Sequence, residues 1–452
     1  MALSLPTLPT GAGWQFKLQE GVYLVSKEQN FHLVKWPRAQ LLSDEESVQG
    51  VRQAARGWVT AGASGTDSTR TVEQCLAGGW ASLRVVVDDR VLFQIVPRRP
   101  APHLDDVEVS GGSVSRFAVL QKSNSGVKIE LPHSWADLEM VDPDLLRGIY
   151  DPSAPPGSLS ESLRQTFVWI GLWGREEGNG FELEQWSPHE LLFHERSRRY
   201  GRSTRFGGTF WAKGKHEPLQ ANAQLDYVSV IELKRPVLQA VCSTSMSLQD
   251  AIEDRRSFRR HDDGRPITCE QISEFLYRTC RTRMQHEVDG VEYISRPHPS
   301  GGSAYELDTF VLIRFVCGIE PGLYHYDPVA HRLGLVTGAE DPGVNALLRE
   351  AAHSSTVDTD PQVVLLFAAR VGRILWKYEQ MGYAVILKHV GVLMQTMYLV
   401  ATDMGLASCG IGSGDSDLFN SATGTSALSH VTVGEFLLGS RDVNEEFSRR
   451  PR

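Results

Sequence analysis

No Gly-x-x-x-x-Gly-Lys-Ser/Thr segment occurs in the 452 residues, which excludes the phosphate loop of nucleoside triphosphatases. Gly-x-Ser-x-Gly and His-Glu-x-x-His are also missing, so neither a strand-to-helix serine elbow nor a helical zinc-protease site is available. Cysteine is scarce. The six present (Cys75, Cys242, Cys269, Cys280, Cys317, Cys409) contain no Cys-x-x-Cys pair and no histidine at ligand spacing. That pattern argues against structural zinc and a disulfide framework, and for reduced thiols in a cytoplasmic protein. Excess positive charge is absent too. A formal net charge of −9 gives no long-range attraction to nucleic acid or anionic lipid. The opening "MALSLPTLPTGAGW" has no basic stretch ahead of its apolar residues, which are broken by prolines, so it is not read as a signal peptide. The most apolar long window, "AVILKHVGVLMQTMYLVATDMGL", is interrupted by Lys388, His389, Gln395 and Asp403, and is expected to be a buried helix rather than a membrane span. We find no internal repeat and no low-complexity tract.

What is present is the balance of a folded chain, 41% hydrophobic and 22% charged, long enough for two or three domains. In the first half, "GVYLVS" and "FHLVKW" read as paired strands around the polar turn "KEQN". "SDEESVQGVRQAARGW" reads as a helix entered at Ser43, and "TVEQCLAGGW" as a second helix. The strands "ASLRVVVDD" and "RVLFQIVPRR" follow. Helix, helix, two-stranded wing is the order of a winged-helix module. A second strand pair, in "RFAVLQKSNSGVKIELP", suits a second module, with a split near 100–115. In "WSPHELLFHERSR", Ser187 is placed as N-cap, Pro188 as the first helical residue and Glu190 as the closing residue of a capping box. The Arg- and Gly-rich "RRYGRSTRFGGTFWAKGKHEP" is expected to begin the interdomain connection. The boundary is placed between Gly201 and Ser247, giving regions 1–240 and 241–452.

The second half reads as α+β with long helices. Ser247 caps "SLQDAIEDRRS"; Thr268 and Gln271 form a capping box for "TCEQISEFLYRTCRTR", whose Ile272, Phe275 and Leu276 share a buried face. Ile386, Val390, Leu393, Met394, Met397, Val400, Ala401 and Met404 recur at three- and four-residue intervals, the pattern of core filling. Three segments carry chemistry. "EDRRSFRR" offers Arg255, Arg256, Ser257, Arg259 and Arg260, guanidinium forks and a hydroxyl suited to a phosphate monoester, or else a solvated basic helix end. "SRPHPSGGSAYELD" lets backbone amides approach a flat ligand, or is a turn. "MGLASCGIGSGDSD" presents small residues after the apolar helix, or is a helix C-cap running into a loop. Its glycines lack the spacing and preceding strand of a dinucleotide fingerprint. A fourth stretch, "RILWKYEQMG", sets Lys377 beside Tyr378.

Taken in order, these segments resemble the flavin-dependent nitroreductase fold. "GLYHYDPVAHRLGLV", "WSPHELLFHERSR" and "KYEQMGY" bring the resemblance close to the SagB-type azoline dehydrogenases, including the cyanobactin oxidases, from about Arg255 to Arg441. The first half is similar more loosely, to winged-helix-like peptide-recognition modules. The resemblance implies an α+β, nitroreductase-like FMN domain, with Arg255, Arg256, Ser257, Arg259 and Arg441 around the FMN phosphate and ribityl chain. It implies Pro299, Ser300, Gly301 and Gly302 on the isoalloxazine, contributed across a homodimer interface, and Gln395, Ser408, Gly410, Ile411 and Gly412 along its other edge. Lys377 and Tyr378 match the pair implicated in catalysis. "LKHVG" departs from the family's more usual Glu-x-Gly-His stretch.

The activity so implied is the oxidation of thiazoline or oxazoline rings to azoles in a ribosomally made peptide, reached through a leader segment or a cyclodehydratase complex, with O2 as electron acceptor. Nucleic acid and membrane are not expected partners. One of Lys377 and Tyr378 would remove a proton, its pKa brought toward neutrality by burial or by its neighbour. The alternatives are an NAD(P)H-dependent nitroreductase or quinone reductase, and a non-catalytic peptide-binding subunit of a modification complex.

Overall fold

The computed structural model describes residues 5–27, 29–35, 38–42, 44–61, 68–104, 113–150, 161–174, 180–199, 205–355 and 360–442. The chain divides into two compact units, Met1–Arg205 and Phe206–Arg452.

In the first unit, β1 (Ala12–Leu18) precedes a three-stranded meander of β2 (Tyr23–Lys27), β3 (Asn30–Lys35) and β4 (Arg38–Leu42). β2 and β3 are the pair expected around Lys-Glu-Gln-Asn, in register from Tyr23↔Val34 to Lys27↔Asn30. α1 (Glu45–Arg56) starts at Asp44, whose carboxylate accepts from the Ser47 amide at 2.6 Å. Glu45 and Glu46 sit at the positive end of its dipole, and Val48, Val51 and Ala54 are buried. Ser43 lies outside the described residues.

After β5 (Val59–Thr60) and α2 (Ser68–Gly78), β6 (Ala81–Val87) and β7 (Arg90–Pro97) form a hairpin. It turns on Asp88 and Asp89, both at positive φ as a primed two-residue turn requires. The helix–helix–hairpin order is therefore present. β8 (Ser113–Val114), β9 (Val119–Lys122), β10 (Val127–Glu130), β11 (Ala136–Met140), α3 (Pro143–Tyr150), α4 (Glu161–Ile170), β12 (Trp173–Gly174), α5 (Gly180–Glu184) and α6 (Pro188–Ser197) follow. The split near 100–115 does not separate two modules, because β7 and β11 pair across it within one sheet ordered β5-β1-β6-β7-β11-β10-β9. Leu83, Phe93, Ile95, Ile129 and Leu138 bury their faces in a single core that two independent modules would leave wet. α6 carries the Ser187–Glu190 capping box. It is tied to the sheet by Arg196, which reaches Asp137 at 2.6 Å and Glu130 at 3.1 Å.

The second unit begins before the expected 240/241 division, inside the Gly201–Ser247 window. The stretch read as a connection belongs to it: the Phe210 amide donates to the Lys377 carbonyl at 3.1 Å, and Trp211 donates its indole N–H to the Leu375 carbonyl. Its strands are β13 (Ser229–Glu232), β14 (Met284–Val288), β15 (Val291–Ser295), β16 (Leu307–Ile313), β17 (Gly322–Asp327), β18 (Arg332–Gly338), β19 (Val363–Arg370), β20 (Leu406–Ile411) and β21 (His430–Ser440). Its helices are α7 (Leu238–Thr244), α8 (Leu248–Asp254), α9 (Cys269–Cys280), α10 (Pro342–Ser355), α11 (Val371–Leu375), α12 (Gly382–Asp403) and α13 (Ser416–Thr423). β14 and β15 form a separate hairpin; the other seven strands make an antiparallel sheet ordered β13-β18-β17-β16-β19-β21-β20.

Every residue of β16 and β19 is buried. Leu365 and Phe367 join one cluster with Phe275 and Met397, while Val364 and Leu366 join another with Leu347 and Phe419. A strand covered on both faces needs apolar residues at consecutive positions, which explains "VVLLFAA". The caps expected at Ser247 and Thr268–Gln271 are formed. "MGLASCGIG" departs from expectation. Leu406–Ile411 is the edge strand β20, not a loop, because its amides complete the ladder to β21. α12 departs as well: Ile386, Val390, Leu393, Met397 and Ala401 face the core, but Tyr383 (40%), Leu387 (41%) and Val392 (37%) are exposed, so only one face is buried.

Candidate active site

β19 ends at Arg370 and α11 makes one turn, after which the chain bends through Trp376, Lys377 and Tyr378. The Lys377 and Tyr378 amides both donate to the Ile374 carbonyl, at 3.1 and 2.9 Å. Their side chains therefore leave a turn, not a regular helix that would splay neighbours by about 100°. Both reach Gly302. A Cβ there would lie 2.6 Å from Lys377 Nζ and 2.6 Å from Tyr378 Oη, and the backbone φ is +62°. Glycine suits that point on conformation, and any side chain there would have to push the two tips aside. Across the turn, Gly208 bridges Tyr378, Thr209 Oγ1 donates to Glu379 Oε2 at 2.8 Å, and the Phe210 ring lies 5.0 Å from the Lys377 ammonium. Phe210, Leu219, Tyr293 and Trp376 line a small hollow beside Lys377 and Gly302.

The Pro299–Gly302 segment is fixed from below. His389, buried on α12, meets the Gly301 amide through Nε2 at 2.7 Å and Glu306 Oε1 through Nδ1 at 2.7 Å. The Tyr305 amide donates to Ser300 Oγ at 3.0 Å. Partial burial pushes the Lys377 ammonium below its ordinary value. Tyr378 moves the other way: burial first, then the Glu306 charge and Tyr293, push its phenol above the ordinary range. The expectation that a cationic neighbour lowers the tyrosine gives way to desolvation.

A second group forms near the other end of α12. Gly410 donates its amide to Tyr398 Oη at 2.6 Å, and Ser257 Oγ lies 3.0 Å from the same oxygen. An oxygen that accepts from Gly410 is free to donate to Ser257. The Arg255 guanidinium lies 5.2 Å from the Tyr398 ring centroid. The Phe258 amide donates to the Ser408 carbonyl at 2.8 Å, the Arg441 guanidinium lies 4.9 Å from the Phe258 ring, and Arg441 Nε donates to the Leu406 carbonyl at 3.3 Å.

Arg255, Ser257, Ser408, Gly410 and Arg441 are thus brought together, while Lys377, Tyr378, Ser300, Gly301 and Gly302 form the other group. His389 and Tyr398 are nine residues apart on α12, about 13 Å at the helical rise. Arg256, Arg259, Pro299, Gln395 and Gly412 are exposed, and Ile411 is buried in the core. Glu306, His389, Tyr398 and Phe210 escaped the sequence reading. The one available signal was a histidine and a tyrosine interrupting an otherwise apolar stripe.

The second unit is thus a sheet covered on both faces, with polar and titratable groups gathered at a strand end and along one long helix. Residues 252–439 match the nitroreductase family, and the second unit carries a nitroreductase-superfamily domain. The chain is 28% identical over 182 residues to MJ1384 of Methanocaldococcus jannaschii, provisionally named a nitroreductase, across 40% of this chain and 84% of that protein. It is 29% identical over 118 residues to the microcin B17-processing protein McbC of Escherichia coli, across 25% of this chain and 42% of McbC. Among solved structures, a provisionally assigned nitroreductase from Ralstonia eutropha aligns at TM-score 0.38 and 21% identity, over 50% of this chain and 98% of that one. A chain of the E. coli microcin synthetase McbBCD complex with truncated pro-MccB17 bound aligns at TM-score 0.36 and 19% identity, over 60% of this chain and 100% of that one. At scores this low the assignment rests on the family match.

The nitroreductase family implies FMN. Its phosphate end finds a suitable donor set: Arg255 has no carboxylate partner among the described residues, and its guanidinium and the Ser257 hydroxyl both lie against Tyr398. Unpaired guanidinium forks next to a hydroxyl suit a phosphate dianion.

Proposed function

We propose that this protein is an FMN-dependent dehydrogenase that oxidises thiazoline or oxazoline rings of a ribosomally made peptide to azoles. The observation that carries the reading is the convergence of Lys377 Nζ and Tyr378 Oη on Gly302, two proton-handling tips at one backbone point beside an aromatic-lined hollow. The similarity to McbC supports the same direction. Arg255, Arg256, Ser257, Arg259 and Arg441 would hold the phosphate end of FMN, and Pro299–Gly302, Gln395, Ser408, Gly410 and Gly412 its remaining edges. Bound FMN supplies the two-electron acceptor for the hydride that leaves one ring carbon.

The chain's own residues handle the proton. Lys377, lowered by desolvation, is the base: its neutral amine takes the proton from the adjacent ring carbon and becomes the ammonium. Tyr378, raised by burial and Glu306, stays protonated and donates a hydrogen bond to the ring nitrogen as charge develops there. Phe210, Tyr293 and Trp376 exclude water from the ring.

The exposed apolar face of α12, Tyr383, Leu387 and Val392, supports a homodimer in which this helix meets a second copy. The first unit would receive the peptide's leader segment or contact a cyclodehydratase, O2 would regenerate the cofactor, and the cytoplasm is the proposed compartment. Incubation of the yellow protein with azoline peptides should remove about 2 Da per ring (two hydrogens), and Lys377→Ala and Tyr378→Phe should each lose that activity while keeping flavin. Full turnover in both variants would overturn the reading. NAD(P)H consumption without peptide would favour a general nitroreductase or quinone reductase instead.

A further inference from the structure

We propose that Glu306 and His389 form a positioning pair that sets the Gly301–Gly302 turn and, through it, the separation of Lys377 and Tyr378. The inference rests on the reading of those two residues as the proton-handling groups. Three observations carry it. The Gly301 amide can only donate, so His389 Nε2, 2.7 Å away, must be the acceptor. The imidazole proton is therefore on Nδ1, donated to Glu306 Oε1 at 2.7 Å. Both side chains are buried, at 7% and 0% exposure, where an ordered network holds its geometry firmly.

The turn so held is crowded. A Cβ at Gly301 would meet His389 Nε2 at 3.2 Å and Val385 Cγ1 at 3.3 Å, and one at Gly302 would meet both Lys377 and Tyr378 at 2.6 Å. The backbone around Gly302 is also in left-handed conformations at Ser303 (φ 53°) and Tyr305 (φ 45°), which nearby contacts must hold. Glu306 has a second role. Its Oε2 is buried without a hydrogen-bond partner among the described residues, and its charge is one of the causes that raise the Tyr378 phenol. A single carboxylate thus orients the histidine under the turn and biases the proton on the tyrosine above it.

The test uses the full chain with FMN and three variants: His389→Leu, which removes both bonds; His389→Gln, whose amide oxygen replaces the acceptor; and Glu306→Gln, which keeps the shape and removes the charge. The first readout is amide hydrogen exchange over residues 299–305, which does not depend on any substrate. Exchange at Gly301 should quicken at least about 10-fold in His389→Leu and return most of the way in His389→Gln. The second readout is azoline-peptide turnover. In His389→Leu kcat should fall roughly 10- to 100-fold with KM for peptide within about 3-fold, and His389→Gln should recover most of it. Should His389→Leu fail to fold, His389→Gln and Glu306→Gln carry the test, the latter expected to lower kcat about 10-fold and to move the alkaline limb of the pH profile down as Tyr378 loses its negative neighbour. Unchanged Gly301 exchange, or wild-type kcat in His389→Leu, overturns the inference. A wild-type protein that oxidises no azoline overturns the proposed function alone, since the exchange readout still judges the pair.

Discussion

Gly302→Ala is the sharpest perturbation the geometry offers. An alanine at φ +62° costs roughly 1–2 kcal/mol for the left-handed backbone alone. Its methyl carbon would stand 2.6 Å from Lys377 Nζ and 2.6 Å from Tyr378 Oη, about 1 Å inside ordinary contact. Both neighbours are tips of rotatable side chains, so they will swing aside instead of breaking the fold. Stability should therefore fall by about 1–2 kcal/mol, a loss of a few degrees in Tm for a unit of this size. Activity should fall far more. Displacing both proton-handling tips by about 1 Å costs on the order of 100-fold in rate. The assay is azoline-peptide turnover by mass loss alongside a thermal melt of the same FMN-loaded sample. Wild-type turnover in a folded Gly302→Ala protein would refute the claim that the two tips act at this point. A collapse of Tm by tens of degrees would refute the claim that the contact is relieved by side-chain motion.

The pH dependence follows from the direction of two shifts. The active form has Lys377 neutral, and burial lowers its pKa, so the rate should rise through a limb that lies below the ordinary lysine value near 10. Tyr378 must stay protonated and is raised, so the falling limb should lie above the ordinary tyrosine value; Lys377→Arg, permanently charged, should be inactive across the range. Tyr398→Phe leaves the Gly410 amide without its acceptor and Ser257 without its partner, a cost of about 1–3 kcal/mol, read as roughly 10- to 100-fold weaker FMN binding in a flavin titration. In the first unit, Asp137→Ala removes the carboxylate that the buried guanidinium groups of Arg98 and Arg196 share at 3.2 and 2.6 Å; Arg196 keeps Glu130 and Arg98 keeps the Leu131 and Ser134 carbonyls, so the loss should be about 1.5–3 kcal/mol in urea unfolding of that unit.

Much of the local structure was legible because it depends on neighbours in sequence. The Ser187, Ser247 and Thr268 caps use a hydroxyl and an amide three residues apart, a spacing any reader can count. The apolar stripe of α12 was legible for the same reason, but its period cannot say how much of the circumference is covered. Tyr383, Leu387 and Val392 remain exposed within a helix that composition alone marks as buried. Leu406–Ile411 was misjudged because its small residues suit a loop, and only the partner strand Glu435–Ser440 supplies the ladder that makes it β.

By itself the sequence determined most helix starts, the hairpins and the apolar strands, since each follows from spacings within about a dozen residues, while the residues of a flavin-type site were implied by a family resemblance of segments taken in order. Tertiary structure alone decided that Gly208 and Phe210 belong with Lys377, that His389 and Glu306 meet beneath Gly301, and that Tyr398 joins Ser257 to Gly410. Those contacts join residues separated by 83 to 170 positions, or by a strand-to-helix reversal, and no local propensity encodes them. Burial supplies the reason they matter: the same lysine and tyrosine would titrate ordinarily in water, and only the packed turn drives their pKa values in opposite directions.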